Sequence, residues 1–446
     1  MALPPRIFRA GEEPVGVRVT FYHKPGGLRL ILDTLDEAEL NVIKSSPFGK
    51  FIELADQTPY SGRVGRYMLS RQLKVSKKYE AWFIFAENPI RFSLREFAIV
   101  TGLPCGKYPS HPPKDMKKLI NEQPYYNSLF GMLKEVSVSS VINMLKRKTV
   151  ASSETRIKYA LLAMLAWVIL PTTHSAKISV EHAERIKNRD EFFAYPWGRL
   201  SFQMIISSIK EKDEVTLTQS TIALPGYVQA LQMVMTKAVP ALTEVVRQDS
   251  GEDEDFSLTP PRNGIKPAHA RTLDAGKNVR CLYTSKPFFV LISKFPDNIS
   301  VRQLHVGIAV HFDVTIMLKP VAVSPIIPND LDVEVDEAEL SFSDDEDDER
   351  VDKLVSLINE GSRLKNQMFE GGTSKEDIAR MREASEAAAL AKKKKKEKSQ
   401  PRQPAMPVPS PKKLSLSTKT SSKAISSGWK TRWMAYATQS SRRKNS

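Results

Sequence analysis

Apolar and polar positions are most informative between Trp82 and Gly106, WFIFAENPIRFSLREFAIVTGLPCG. Trp82–Phe85 is a short apolar run, Asn88-Pro89 is a turn signal and Ile90–Phe92 is a second extended piece, so a β-hairpin is expected. Ser93 followed three residues later by Glu96 predicts a capping box, with Phe92 and Phe97 at the positions of a hydrophobic staple. Leu94, Phe97, Ala98 and Thr101 then share one helical face. Gly102 allows a left-handed end, Leu103 can fold back on Phe97, and Pro104 forbids continuation. This is the signature of a folding nucleus.

Upstream, Met1–Pro25 is rich in Pro and Gly and reads as irregular, and Leu28–Leu32 reads as a short strand. Asp36–Lys44 and Gly62–Lys74 have helical spacing, the second with Val64, Tyr67, Met68 and Leu73 on its apolar side and Arg66 and Arg71 outward. Downstream, Pro104–Pro124 is a Pro- and Lys-rich connection. Helical patterns follow at Tyr125–Leu133 and Val138–Leu145. Another runs from Ser152 or Ser153 to Leu170 and is apolar on nearly all sides, which requires surrounding helices. Val180–Phe193, Leu200–Lys210 and Tyr227–Lys237 continue the series, interrupted at Pro196 and Pro240.

Beyond this the pattern changes. Gln248–Pro267 is polar, acidic and proline-bearing. Cys281–Phe295, centred on Phe288–Ile292, and Leu304–Leu318 have strand-like composition. Asp330–Asp352 holds thirteen acids against one base, Arg350, too little apolar surface to offset chain entropy. Arg350–Phe369 and a stretch opening at Ser374 read as helices, the second ending in lysines that suit its dipole. Gln400–Ser446 is low in complexity. The expected fold is mainly α (α+β): a compact helical domain with an embedded β-hairpin, a small β-containing lobe, and a disordered acidic-then-basic C-terminal region. The boundaries expected are an N-terminal extension (1–59), the α-rich domain (60–243), a linker (244–270) and the lobe (271–325). An acidic segment (326–350), a helical segment (351–398) and a basic tail (399–446) complete the chain.

Charge sharpens the division. The chain carries a formal +15, and residues 391–446 alone hold sixteen Lys/Arg against one acid, Glu397. The other residues balance at fifty of each sign, so the high isoelectric point gives no reason to expect nucleic acid on the folded part. Two cysteines, Cys105 and Cys281, suit a reducing compartment. The opening residues lack the apolar run of a secretory signal. Tyr159–Leu170 is too short to cross a bilayer, so no membrane association is expected.

Candidate chemistry is sparse. The seven histidines are scattered and the cysteines lie 176 positions apart, without C-x-x-C or H-x-x-x-H spacing. Phosphate-binding glycine loops are absent. Cys105 reads as a buried thiol, Cys281 sits in an apolar run, and His269, His305 and His311 are the only histidines near it. No catalytic, metal or cofactor residues are assigned, and no enzyme activity is expected. Trp197 in YPWGR reads as a helix anchor, with Arg199 paired to a nearby acid. Lys392, Lys393, Lys394, Lys395, Lys396 and Lys398 form a candidate nuclear localisation signal, with Arg442-Arg443-Lys444 as a second cluster. Ser341, Ser343 and Ser410 are candidate phosphorylation sites. Leu331–Val335 resembles a modifier-interacting strand.

FSLREFAIVTGLPCG, AYPWGRLSF (Ala194–Phe202) and ALPGYVQALQ (Ala223–Gln232) together resemble a plant family of unknown function. Its members often precede proteases specific for small ubiquitin-like modifiers in Mutator-like transposons and their relatives. The resemblance spans roughly Tyr60 to Thr243; it implies no catalytic residues, and the protease motifs themselves are not found here. A weaker similarity links the hairpin, capped helix and GLP to the plant mobile domain. The expected function is a non-enzymatic nuclear interaction module with an unknown protein partner. Residues 391–446 would supply nuclear import and non-specific nucleic-acid contact. Two alternatives stand: an inactive, truncated relic of a modifier protease that retains a substrate-positioning domain, and a DNA-binding accessory protein.

Overall fold

The computed structural model describes residues 2–16, 18–22, 26–56, 61–109, 116–242, 265, 267–275, 279–281, 317–319, 321–328 and 337–399. In chain order the first elements are β1 (Arg18–Phe21), α1 (Gly27–Leu32), α2 (Glu37–Lys44), α3 (Gly49–Asp56), α4 (Gly62–Leu69), β2 (Ala81–Phe85), β3 (Asn88–Phe92) and α5 (Leu94–Thr101). Then come α6 (Met116–Glu122), α7 (Pro124–Phe130), α8 (Val138–Lys146), α9 (Ser153–Met164), α10 (Val180–Arg185), α11 (Arg189–Ala194), α12 (Trp197–Lys210), α13 (Glu214–Leu217), β4 (Thr221–Leu224) and α14 (Gln229–Ala238). The last are α15 (Pro267–Ala275), β5 (Val279–Cys281), β6 (Met317–Lys319), α16 (Glu337–Leu340), α17 (Glu349–Asn359) and α18 (Lys375–Ser399). The architecture is mainly helical with small two-stranded sheets. Two compact units divide the chain, Met1–Glu386 and Ala387–Ser446; residues 387–399, the second half of α18, are the described part of the second.

At the centre of the first unit, α9 is buried from Arg156 to Met164 and continues as a π-helical turn, Leu165–Ile169. Helices α1, α2 and α8 pack around it. The π turn is closed by the Leu170 N–H donating to the Leu165 carbonyl, 2.8 Å. Pro171 follows and has no N–H with which to extend it. Burying each of its large apolar side chains contributes roughly 1.5–3 kcal/mol before chain entropy is subtracted. A charged residue ties this core together. Arg156 donates to Glu39 (2.7 Å) and to the carbonyls of Leu145 and Thr34 (3.0 and 2.6 Å). Glu39 also completes the capping box of α2 with Asp36.

The hairpin forms with Ala81 opposite Phe92 and Phe85 opposite Asn88. Its turn is Ala86-Glu87, both at positive φ (47° and 67°), so Asn88-Pro89, expected as the turn, belongs to β3. Two successive positive φ values match the twist of a two-residue hairpin loop. Here tertiary structure supports them: the Ala86 N–H donates to Asp274 of α15, 2.7 Å. All five residues of β2 are buried, because the strand lies between two cores. Ala81, Phe83 and Phe85 face the main core; Trp82 and Ile84 face a second cluster with Leu3, Leu73, Val351, Leu354, Leu364 and Phe369. Period-2 alternation in an all-apolar strand produces this two-sided burial.

Several expectations change. Leu28–Leu32 lies in helix α1, whose Leu28 and Ile31 are buried at helical spacing. The described residues between 2 and 56, expected as an extension, are part of the folded unit: β1 pairs in parallel with β4, and Val19, Ile43, Phe48 and Phe51 belong to the main core. Arg66, expected outward, is only 1% exposed. The end of the expected linker forms α15, packed on α4. Of the expected β lobe, an antiparallel pair is described, Val279–Cys281 with Met317–Lys319; Phe288–Ile292, His305 and His311 lie outside the described residues. Residues 337–349 of the acidic segment, expected to lack structure, are seated on the folded unit.

Candidate docking groove

Helix α5 begins with the predicted capping box of Ser93 and Glu96. Glu96 is completely buried. Its carboxylate accepts from the Ser93 N–H and hydroxyl (3.2 and 2.6 Å) and from Arg91 (2.9 and 3.1 Å) and Arg95 (3.1 Å). Arg95 also reaches the Ile327 carbonyl, 2.7 Å. Phe92 and Phe97 are both buried and both meet Phe202 of α12, with ring centroids 5.6 and 5.8 Å away. Gly102 ends the helix at φ 62°, turning the chain into Leu103–Gly106.

That loop rests on the first turn of α12. Trp197 is fully buried and donates its indole N–H to the Phe192 carbonyl, 2.7 Å, the anchoring role expected for it. Next to it the Gly198 N–H donates to the Pro104 carbonyl, 2.8 Å. A Cβ on Gly198 would lie 2.5 Å from the Cys105 sulfur and 2.7 Å from the Leu103 Cβ. Only glycine permits this approach.

Arg199 follows, 3% exposed, and takes backbone carbonyls instead of the acid expected to pair with it. Its Nε donates to Cys105 and Gly106 (3.0 and 2.6 Å); Nη2 and Nη1 donate to Glu339 and Ser341 (2.5 and 3.3 Å). The guanidinium carbon lies 4.4 Å from the centroid of the Phe342 ring. One side chain thus clasps the loop after α5 and the C-terminal end of α16.

From there Ser341–Asp348 crosses the surface as a strap. Phe342 stacks on Tyr79, centroids 3.7 Å apart. Asp344 accepts from Lys78 (2.5 Å) and the Tyr79 hydroxyl (3.0 Å). Asp345 accepts the N–H groups of Lys78 and Tyr79 (2.7 and 3.2 Å), and Asp348 that of Ser76 (2.7 Å). Asp348 also caps α17. Beneath the strap is a cavity of about 210 Å³ bordered by Tyr79, Arg91, Arg95, Leu340 and Phe342.

The local electrostatics follow. Hydrogen bonds from Lys78 and Tyr79 hold the Asp344 carboxyl below its ordinary value. Burial would raise Asp348, but N–H donors from Ser76 and Arg350 outweigh it and its pKa falls. Burial lowers Lys210 to about 8, opposed by Glu80, Asp345 and Asp348. Burial also pushes the Cys105 thiol up, far from the thiolate a nucleophile requires. No three His, Cys, Asp or Glu side chains gather to hold a metal ion among the described residues.

Of the candidate residues, Phe92, Ser93, Glu96, Phe97, Gly102 and Trp197 build the support for the groove. Ser341 and Ser343 lie exposed on the strap. Lys392–Lys396 and Lys398 fall within α18, whose backbone alone is described there. Ser410, Arg442–Lys444 and Leu331–Val335 lie outside the described residues. Tyr79, the carbonyl clasp of Arg199 and the Phe342 contact were not anticipated. The signal for them was a lone aromatic, Phe342, inside an otherwise acidic run.

The strands and helices that carry the groove coincide with a known sequence family. Residues 69–208 match the family model described as Domain of unknown function (DUF1985). The match covers the hairpin, the capped helix and α12 as far as Ser208, and ends before the ALPGYVQALQ motif. No curated protein and no solved structure matches the chain. The DUF1985 region supplies Tyr79 and Arg199; the strap they hold lies beyond it.

Proposed function

We propose that this chain is a non-enzymatic protein-interaction module acting in the nucleus, of transposon-related plant origin. One observation carries the reading: the DUF1985 region holds an irregular segment of its own chain as a binding module holds a peptide. The Ser341 carbonyl at the start of the segment meets a buried arginine, its aromatic residue stacks on tyrosine, and its carboxylates meet backbone N–H groups. Backbone recognition combined with one aromatic anchor is a recurrent way to bind an extended partner.

The basic tail supplies import and loose contact with nucleic-acid phosphates, with affinity falling steeply as salt rises. The test compares the full chain with a variant carrying Gln at Lys392–Lys396 and Lys398, by cell imaging and by DNA binding over a salt series. Loss of nuclear accumulation and a shallower salt slope are expected. Unchanged nuclear enrichment overturns the import role, and sequence-preferring binding that survives the substitutions favours the DNA-binding alternative.

A further inference from the structure

A second, unrelated feature lies between α4 and α15. These helices border a pocket of about 730 Å³ that contains four arginines, Arg63, Arg66, Arg71 and Arg271, and two carboxylates, Glu13 and Asp274. Both carboxylates are already committed. Asp274 accepts from Arg71 (3.0 Å), from the Ala86 N–H (2.7 Å) and from the Tyr67 hydroxyl. Glu13 pairs with Arg6 at 3.6 Å and accepts the Gly11 N–H, 3.0 Å.

Three guanidiniums therefore have no ion-pair partner among the described residues. Arg63 and Arg271 are exposed at the rim. Arg66 forms the floor, buried, with Nη2 donating to the carbonyls of Leu217 and Gln219 while Nε and Nη1 find no hydrogen-bond partner among the described residues. Gly16 closes over it: a Cβ there would lie 1.8 Å from Arg66 Nε. A buried cation without a counter-charge is held at an energetic cost, and its field is little screened from an anion in the pocket above it.

We propose that this pocket binds a small molecule carrying two or more phosphate groups. Arg63 and Arg271 close on its oxygens in the forked geometry that suits phosphate, and Arg66 supplies a fixed positive charge below. The volume falls in the range of small-molecule sites. The site stands independently of the docking groove.

The basic tail also attracts polyanions, so the experiment keeps it constant. Inorganic tripolyphosphate is titrated calorimetrically into the full chain and into an Arg63→Gln/Arg271→Gln double variant, with thermal melts in parallel at about 150 mM salt. Both substitutions are at exposed positions and leave the core untouched. Saturable binding and a raised melting temperature are expected for the unmodified chain, with affinity weakened about 10–100-fold in the double variant. An identical isotherm in both proteins assigns the binding to the tail and overturns the pocket, as does absence of binding to the unmodified chain.

Discussion

Phe342 and Tyr79 lie face to face, their rings 10° from parallel, although 263 positions separate them. The Tyr79 hydroxyl then reaches Asp344, so one tyrosine reads both the aromatic and the acidic character of the strap. Replacing Phe342 with Ala removes the stack and the contact with Arg199. A loss of about 1–2 kcal/mol is expected, with unchanged helical circular dichroism. Denaturant unfolding measures it, and an unaltered midpoint would mean that the strap is not held by its aromatic residue.

Glu96 is the most committed carboxylate near the groove. Glu96→Gln keeps its shape but removes the charge that two arginines and a helix N-terminus share, and with it the ion pairs that Arg91 and Arg95 make to Glu96. About 3–5 kcal/mol of destabilisation is expected. A change within about 0.5 kcal/mol, the range of ordinary surface substitutions, would show that the cluster is not a unit of stability.

Gly198 and Gly106 make a matched pair for testing the close approach of α12 to the Leu103–Gly106 loop. Gly198→Ala forces a methyl into Cys105 and Leu103, and about 1–3 kcal/mol is expected to be lost. At Gly106 the nearest atom to a new Cβ is a Glu339 oxygen at 3.5 Å, an ordinary contact, so Gly106→Ala should be nearly neutral. Equal melting temperatures for the two variants would contradict the packing described.

Burial lowers the pKa of His182 to about 4, with Glu181 opposing and Arg185 reinforcing the shift. Its ring lies edge-on to Trp197, 5.1 Å between centroids. An unfolded chain binds this proton near pH 6.5, whereas the folded chain refuses it until about pH 4. Between those values the unfolded state holds more protons, so the contribution is full above pH 6.5 and is lost as pH falls through the window. Stability measured from pH 7 to 4 should decline less steeply in His182→Gln than in the unmodified chain. Parallel profiles would remove His182 as a source of acid sensitivity.

What the sequence determined by itself is local. Ser93, Glu96 and Gly102 specify the start and end of α5 through contacts a few residues apart, and those contacts persist wherever the helix is placed. The apolar run before Pro171 likewise announces a surrounded helix. Long-range pairing decided the rest. Ala86-Glu87 became the hairpin turn under the hold of Asp274, and Leu28–Leu32 became helical against α9. The acidic strap illustrates the reason most directly: by composition it has too little apolar surface to fold alone. Lys78, Tyr79 and Arg199, brought together from two distant segments, supply the donors and the aromatic face that its carboxylates and its single phenylalanine lack locally.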